Sequence, residues 1–229
     1  LGSTRNDMGA YGGPGNCAWN IIPTPTPTPI PTPAGLVYDI YDLGSLGGGY
    51  SEGMGISSNT IVAGLAYNEL EQALAFRFVY KPGEDPVGKM EDLGTLGGYS
   101  SQGCDVNDSG AVVGISEVAM KAAESVYHPF LFYDGEMKDL GTLGGHYGIA
   151  NAINNLGMVV GECLDETDMT RAFLWNDETM KPLPLDFPHS GANDININGD
   201  IAGWISNGQV RTAMAIRKET VELLGSLGG

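Results

Sequence analysis

Short stretches of alternating apolar and polar side chains recur along this chain of 229 residues. Large side chains stand two positions apart within them, as in Phe76-Arg77-Phe78 and Phe173-Leu174-Trp175. Because successive side chains of a strand point to opposite faces, this period of two predicts β-strands with one buried face. The 35 glycines argue against helices, in whose interior glycine is costly. The pattern predicts an all-β protein.

Turn signals separate the predicted strands at regular intervals. An asparagine opens the turn and a glycine closes it at residues 107–110, 154–157 and 196–199. The first copy departs from this pattern, with Ser57 and Thr60 at the two positions. Asparagine and glycine suit the backbone angles of a hairpin, and the run after each turn suits a buried strand. Each copy therefore predicts strand, tight turn, strand.

A glycine-rich heptapeptide of the form Asp-Leu-Gly-Thr-Leu-Gly-Gly, with some substitutions, marks the period of the chain. It stands at residues 42–48, 92–98, 139–145 and 223–229. A period of 40 to 50 residues is typical of stacked supersecondary units. We interpret the heptapeptide as the hinge between one unit and the next, because its glycines allow a tight crossing.

One period holds four predicted strands joined by short turns, which makes an antiparallel meander. Meanders repeated without helices are typical of β-propeller blades. We predict a β-propeller-like array of about four four-stranded blades, and the alternative is a β-solenoid, whose coils repeat at shorter periods. Because the sequence stops at Gly229 on the motif that elsewhere leads into the next unit, we expect the array to be incomplete.

Three zones differ in composition. Residues 1–22 are rich in glycine and too short to fold alone, and we interpret them as the C-terminal remnant of a preceding domain. Residues 23–34 alternate proline with threonine, which favours an extended linker. Residues 35–229 form the repeat array.

Three motifs that recur in one order carry a resemblance to a known family. They are Asp-Leu-Gly-Thr-Leu-Gly-Gly at 139–145, Ile-Asn-Asn-Leu-Gly-Met-Val-Val-Gly at 153–161 and Arg-Ala-Phe-Leu-Trp at 171–175. They resemble the HAF repeats of bacterial extracellular proteins, and the resemblance implies a secreted or cell-surface location. The string at residues 5–15 resembles the closing segment of right-handed parallel β-helix proteins.

The chain is strongly acidic, with a formal charge of −17. Coulomb repulsion disfavours nucleic acid and anionic membrane surfaces, so cations or neutral glycans are easier partners. The partner that we expect is a glycan or an extracellular protein. No apolar run is long enough to insert into a membrane. The three cysteines, Cys17, Cys104 and Cys163, have no metal-like spacing, and the sequence leaves their disulfide state open.

Binding is expected on loops of unequal length that follow the second strand of each unit, because variable loops on a constant scaffold commonly carry function. These loops and the heptapeptides are expected to share one rim. The ligand candidates are the polar side chains on that rim: Tyr67, Glu69, Glu71, Glu117, Glu124, Asp165, Glu166, Asp168 and Asn207.

Residues 105–110 have the spacing of a calcium loop, with Asp105, Asn107 and Asp108 as candidate ligands. The other turns lack the carboxylates, so we favour a plain hairpin turn and expect no resident cofactor. No catalytic constellation is visible, and His128, His146 and His189 lack metal spacing.

The favoured hypothesis is a non-catalytic binding module for a glycan or protein. The alternatives are an accessory domain of a polysaccharide-degrading enzyme and a structural spacer, and enzymatic activity stays open.

Overall fold

The computed structural model describes residues 40–81, 83, 88–118, 125–218 and 220–225. The chain divides into two parts, Leu1–Tyr41 and Asp42–Gly229, and the second holds all the described strands. The predicted boundaries at residues 22 and 34 lie outside the described residues. None of the described segments forms a helix of the length and apolarity needed to cross a membrane.

The described residues form sixteen strands and no helix. The strands follow one another as four antiparallel meanders, here called repeats 1 to 4. Repeat 1 contains β1 (Gly47–Ile56), β2 (Ile61–Asn68), β3 (Ala73–Tyr80) and β4 (Gly88–Asp92). Repeat 2 contains β5 (Gly97–Val106), β6 (Val112–Val118), β7 (Tyr127–Tyr133) and β8 (Glu136–Asp139). Repeat 3 contains β9 (Gly144–Ile153), β10 (Val159–Asp165), β11 (Thr170–Asn176) and β12 (Thr179–Pro182). Repeat 4 contains β13 (His189–Ile195), β14 (Ile201–Ser206), β15 (Arg211–Arg217) and β16 (Thr220–Gly225).

The prediction of an all-β protein built from four-stranded antiparallel units is confirmed. The sheets are not all separate, however. A parallel pairing of Tyr127 with Tyr147 joins repeats 2 and 3 into one eight-stranded sheet, while repeats 1 and 4 each keep a sheet of four strands. The described strands form no closed barrel.

The hydrophobic core is divided among the junctions between successive repeats. Each repeat has a large face, which carries bulky side chains, and a small face, which carries mostly alanine and valine. Phe130 and Phe132 on the large face of repeat 2 pack against Ala63 and Ala75 on the small face of repeat 1. The next junction packs Phe173 of repeat 3 in the same way. Burying such faces is the main stabilising contribution to the array.

The turn between the first two strands of each repeat follows the sequence prediction. In repeat 2 the side-chain oxygen of Asn107 accepts hydrogen bonds from the amides of Ser109 and Ala111, at 3.1 Å each. Gly110 closes the turn with a φ of +79°, in the left-handed region that favours glycine. In repeat 1 Thr60 adopts a φ of 60° at the corresponding place.

The asparagines of these turns also connect the repeats. The Asn107 amide nitrogen donates to the carbonyl of Asn154 at 3.2 Å, and the Asn154 amide nitrogen donates to the carbonyl of Asn196 at 3.0 Å. We call this chain of hydrogen bonds the asparagine ladder. It satisfies the buried amides of Asn107 and Asn154 while it fixes the alignment of successive turns.

Candidate functional site

The heptapeptide connectors fold into one repeated turn. The amide of the first glycine donates to the aspartate that precedes it by two residues, at 2.8 Å between Gly94 and Asp92. The threonine hydroxyl then donates to the last glycine, at 2.9 Å between Thr95 and the carbonyl of Gly98. These side-chain hydrogen bonds stabilise the turn.

The connectors lie beside the loops that join the second and third strands of each repeat. Parallel bridges pair Leu46 with Asn68, Leu96 with Val118 and Leu143 with Asp165. The structure therefore places both kinds of loop along one edge, which we call the rim, as the meander topology predicts.

A groove of about 350 Å³ opens beside the rim across repeats 1, 2 and 3. We call it the rim groove. Its apolar walls come from the second and third strands of repeats 1 and 2 and from the first strand of repeat 3, and its polar groups come from the first strand of repeat 2. The lining residues are Leu65, Ala73, Ser100, Ser101, Gln102, Ile115, Tyr127, Tyr147 and Ile149.

Aromatic rings accompany the rim at several repeats. The rings of Tyr127 and Tyr147 stand at the groove with their centroids 6.4 Å apart. In repeat 1, Tyr50 and Tyr67 meet edge to face at 5.6 Å. Such pairs bring an apolar ring and a polar hydroxyl to one surface. The groove thus combines aromatic surface with hydrogen-bonding groups.

Repeat 4 continues the series with an arginine stacked on a tryptophan. The guanidinium carbon of Arg211 lies 3.6 Å from the centroid of the Trp204 ring. The Trp204 indole also donates to Glu162 of repeat 3. Burial raises the pKa of Glu162, and the Arg211 charge and the indole hydrogen bond offset part of that rise. Glu162 is therefore held by protein partners at the junction.

Three of the predicted ligand candidates hold the rim together. Glu117 is buried and accepts a hydrogen bond from the Tyr99 amide at 2.8 Å. Asp165 accepts from the Thr167 hydroxyl at 2.6 Å and from Arg171 at 2.7 Å, and these bonds hold its pKa well below the usual range. Asn207 accepts from the amides of its own loop. Their side-chain oxygens therefore stabilise the fold of the rim through hydrogen bonds within the protein.

The other candidates are more open to solvent. Tyr67 is half-buried against Tyr50, while Glu69, Glu71, Glu166 and Asp168 are exposed on loops. Asp168 lies 3.9 Å from the Nδ1 atom of His146. Glu124 lies outside the described residues. None of the described candidates in this group lines the rim groove.

The calcium candidates each have a protein partner in a neighbouring repeat. Asp105 accepts from the amide of Ile153 at 2.9 Å, and Asp108 accepts from the amide of Ser58 at 2.7 Å. Asn107 belongs to the asparagine ladder. Across the described part of the chain, no group of three or more His, Cys, Asp or Glu side chains has the geometry to hold a metal ion.

Cys104 and Cys163 are free thiols within repeats 2 and 3. Burial is the main cause that raises their pKa values, to about 12 for Cys104 and about 11 for Cys163, so both stay protonated near neutral pH. Cys17 lies outside the described residues. These two thiols are therefore packing groups.

Sequence reasoning missed the residues that form the rim groove, above all Tyr127, Tyr147 and Gln102. Tyr127 begins β7, while Gln102 and Tyr147 lie within the first strands of repeats 2 and 3, and a period of two does not show which neighbouring repeat any of them meets. The aligned sequences of the repeats do contain one signal for an aromatic surface at the rim, because Tyr50 and Tyr147 occupy the same position of the first strand.

A family model described as a protein of unknown function, DUF3466, matches residues 49–186 of this chain. The match covers all but the first two residues of repeats 1 to 3, and with them every residue of the rim groove. No curated protein and no solved structure matches the chain.

Proposed function

This chain belongs to the DUF3466 family, and we propose that it is a non-catalytic binding module, secreted or displayed at the cell surface, that holds a neutral glycan in the rim groove. The observation that carries the proposal is the groove itself. Two tyrosine rings there stand beside Gln102 and Ser100 on an apolar wall.

The lining of the groove suits a sugar ring. A sugar presents a face of C–H groups, which packs on an aromatic ring, and an edge of hydroxyls, which bonds to amide and hydroxyl groups. Ligand sites are commonly concave and apolar with a few polar groups that fix orientation. Tyr127 and Tyr147 would supply the ring surface, and Gln102 would supply both a donor and an acceptor.

Charge narrows the class of glycan. The formal charge of −17 repels polyanions, which favours neutral or cationic sugars. Burial and then the nearby Glu162 raise the pKa of Tyr147, so its hydroxyl keeps its proton and can donate to a ligand even in mildly alkaline solution.

We also propose that the four repeats are blades of a β-propeller of the HAF-repeat kind. Each repeat is a four-stranded antiparallel meander, and the first strands β1, β5, β9 and β13 follow one another in contact. Small residues, Gly53, Gly103, Ala150 and Ala192, occupy one position of these strands, which suits crowding near an axis. A secreted or surface location rests on the HAF resemblance and on the Pro-Thr linker.

A glycan array probed with the 229-residue chain, followed by calorimetry with the best neutral oligosaccharide, tests the binding proposal. Tyr147→Ala is expected to weaken binding at least tenfold, which corresponds to about 1.4 kcal/mol. The matched control is Tyr133→Ala, an exposed tyrosine at the far end of β7, which should leave the affinity unchanged.

Three outcomes would contradict the proposal. Equal losses for Tyr147→Ala and Tyr133→Ala would place the ligand elsewhere. Failure to bind any glycan would leave a structural spacer as the better reading, and release of reducing ends from a polysaccharide would indicate an enzyme.

A further inference from the structure

The junctions on either side of repeat 2 differ at one position of the third strand. Repeat 1 has Arg77 there and repeat 2 has Leu131, each between the two phenylalanines of its strand. The guanidinium carbon of Arg77 lies 5.3 Å from the centroid of the Phe132 ring. One of its nitrogens donates to the Gly110 carbonyl at 2.8 Å, and another donates to Glu91 at 2.6 Å. An arginine side chain thus fills the first junction and contacts a ring, a carbonyl and a carboxylate.

A groove of about 470 Å³ opens at the next junction, between repeats 2 and 3, and we call it the junction groove. Leu131 lines it together with Trp175 and Gly157, the counterparts of Phe132 and Gly110. A Cβ added to Gly110 would meet the arginine guanidinium at 3.3 Å, whereas one added to Gly157 would meet no described atom within 4 Å beyond its chain neighbours. The junction groove is therefore the space that an arginine side chain fills at the preceding junction.

The charged side chains that line the junction groove are both acidic. Asp177 and Glu178 stand on the exposed turn between the third and fourth strands of repeat 3. Lys138 of repeat 2, which is not part of the lining, pairs with Glu178 and lies 5.4 Å from the centroid of the Trp175 ring. This ring and this carboxylate thus hold a cation beside the groove, and Asp177 adds a second negative charge. The formal charge of −17 further favours a cationic ligand.

The turn that carries the two acids differs from its counterpart in repeat 2. The residues at the two central positions there are Asp134 and Gly135, both with a positive φ. Repeat 3 has Asp177 at a φ of 48° and Glu178 at a φ of 66°, so an acid stands where the backbone favours glycine. Backbone strain of this kind is often found at ligand sites. The turn thus keeps a carboxylate at the groove at a conformational cost.

We propose that the junction groove binds the guanidinium of an arginine on a partner protein. The guanidinium would lie against the Trp175 ring, donate to the Gly157 carbonyl and pair with Asp177, which repeats the three kinds of contact that Arg77 makes. A planar guanidinium can stack on a ring and donate several hydrogen bonds at once, so arginine fits this site better than lysine. The proposal goes beyond glycan binding and does not depend on it, because the junction groove and the rim groove share no lining residue.

A nuclear magnetic resonance titration of the ¹⁵N-labelled 229-residue chain with the capped peptide acetyl-Gly-Arg-Gly-amide tests the proposal. The Trp175 indole signal and the amide signal of Met158, which shares its peptide group with the Gly157 carbonyl, should shift and saturate. The same peptide with citrulline, which has a similar shape but no charge, should bind at least about tenfold more weakly. The lysine peptide should fall between the two.

Removal of the two carboxylates tests the electrostatic part of the site. Asp177→Asn combined with Glu178→Gln should weaken the arginine peptide about tenfold. The matched control is Asp134→Asn combined with Glu136→Gln, which changes the net charge equally on the corresponding turn of repeat 2, outside the lining of the groove. The control should change the affinity by no more than about twofold, because exposed charges at a distance contribute little.

Filling the groove from within the chain provides the sharpest measurement. Leu131→Arg should occupy the site as Arg77 does in repeat 1 and abolish peptide binding, whereas Leu131→Met should bind like the wild type. Circular dichroism verifies folding, and the carboxylate variants decide if Leu131→Arg does not fold. The proposal would be overturned by the absence of a saturable shift, by equal binding of the citrulline peptide, by equal losses in the two pairs of carboxylate variants, or by a folded Leu131→Arg that binds normally.

Discussion

The junction between repeats 2 and 3 and the junction between repeats 3 and 4 bury similar apolar cores but hold the connecting chain differently. The first uses the heptapeptide, whose Leu140 and Leu143 enter the core. The second uses residues 182–188, without the glycines, and inserts Leu183, Leu185 and Phe187 instead. Both junctions therefore need apolar side chains of the connector in the core, which we call the apolar wedge. The glycine turn is one of two ways to provide this wedge.

The two junctions also differ at one position of the third strand. His128 holds the heptapeptide connector through Asp139, at 2.9 Å. Arg171, its counterpart in repeat 3, holds the other connector through the carbonyl of Phe187, also at 2.9 Å. Each side chain anchors the chain that leaves its own repeat, but the histidine does so through a carboxylate and the arginine through a backbone carbonyl.

A third difference involves a buried backbone amide. The Ala172 amide donates to the hydroxyl of Ser190 at 3.0 Å, as the Ala75 amide does to Ser101 at 2.9 Å. Repeat 2 has Pro129 at this position and so has no amide to satisfy. Gly148 replaces the serine there, and a Cβ on Gly148 would lie 2.9 Å from the Pro129 ring. Proline and glycine thus substitute together for alanine and serine.

The largest effect is expected when the shared apolar wedge is shortened. Leu140→Ala should lower the free energy of unfolding by about 2–5 kcal/mol, since it leaves a cavity in the core. Leu183→Ala should cost less, because Leu183 is only half-buried. Urea denaturation followed by tryptophan fluorescence measures both. Equal losses in the free energy of unfolding would show that the two leucines contribute equally to stability and would contradict this expectation.

A smaller effect is expected when a serine is introduced at the junction between repeats 2 and 3, where Gly148 takes its place. Gly148→Ser should destabilise by about 1–3 kcal/mol, because the new side chain overlaps Pro129 and Cys163. Adding Pro129→Ala should recover part of this loss, since the pair then matches Ala172 and Ser190. Urea midpoints of the two single variants and the double variant form a thermodynamic cycle. Strictly additive losses would rule out the coupling.

Removing the serine from the other junction should cost less again. Ser190→Ala leaves the Ala172 amide without its acceptor, and we expect a loss of about 1–2 kcal/mol in thermal or urea unfolding. Ser206→Ala, on the half-exposed end of β14, serves as the control and should change stability little. A loss no greater than that of the control would contradict the assigned role.

The smallest effect is expected for the pH dependence of stability, through the contact between Asp139 and His128. Burial raises the pKa of Asp139, but hydrogen bonds from His128 and the Gly141 amide outweigh it and hold the pKa below the usual value. A lowered folded-state pKa contributes stability above the unfolded pKa of about 3.9, and this contribution is lost as the pH falls through the folded value. Melting temperatures should therefore drop less steeply in acid for Asp139→Asn than for the wild type. Identical acid profiles would show that the contact adds no stability.

The sequence predicted the local structure well and the contacts between repeats poorly. Period-two strands and the turns at Asn107 and Asn154 follow from local rules, and the structure has them where expected. The ladder bond from Asn107 to Asn154 was not predicted, because strand periodicity does not reveal how repeats align. Glu117 and Asp165 were predicted to be available for a ligand for a different reason. Their partners lie in the same repeat, but strand periodicity does not show which backbone amide or side chain a loop carboxylate meets.

The asparagine ladder also has a consequence for the order in which the repeats fold during synthesis. In repeats 2 and 3 the turn asparagine donates to the backbone of the repeat that follows it in the chain. During synthesis, a repeat that has just emerged from the ribosome keeps this amide unpaired, and its small face uncovered, until the next repeat folds upon it. The polar and the apolar contacts of a repeat are therefore completed at the same step of translation, when the next repeat has been synthesised and has folded.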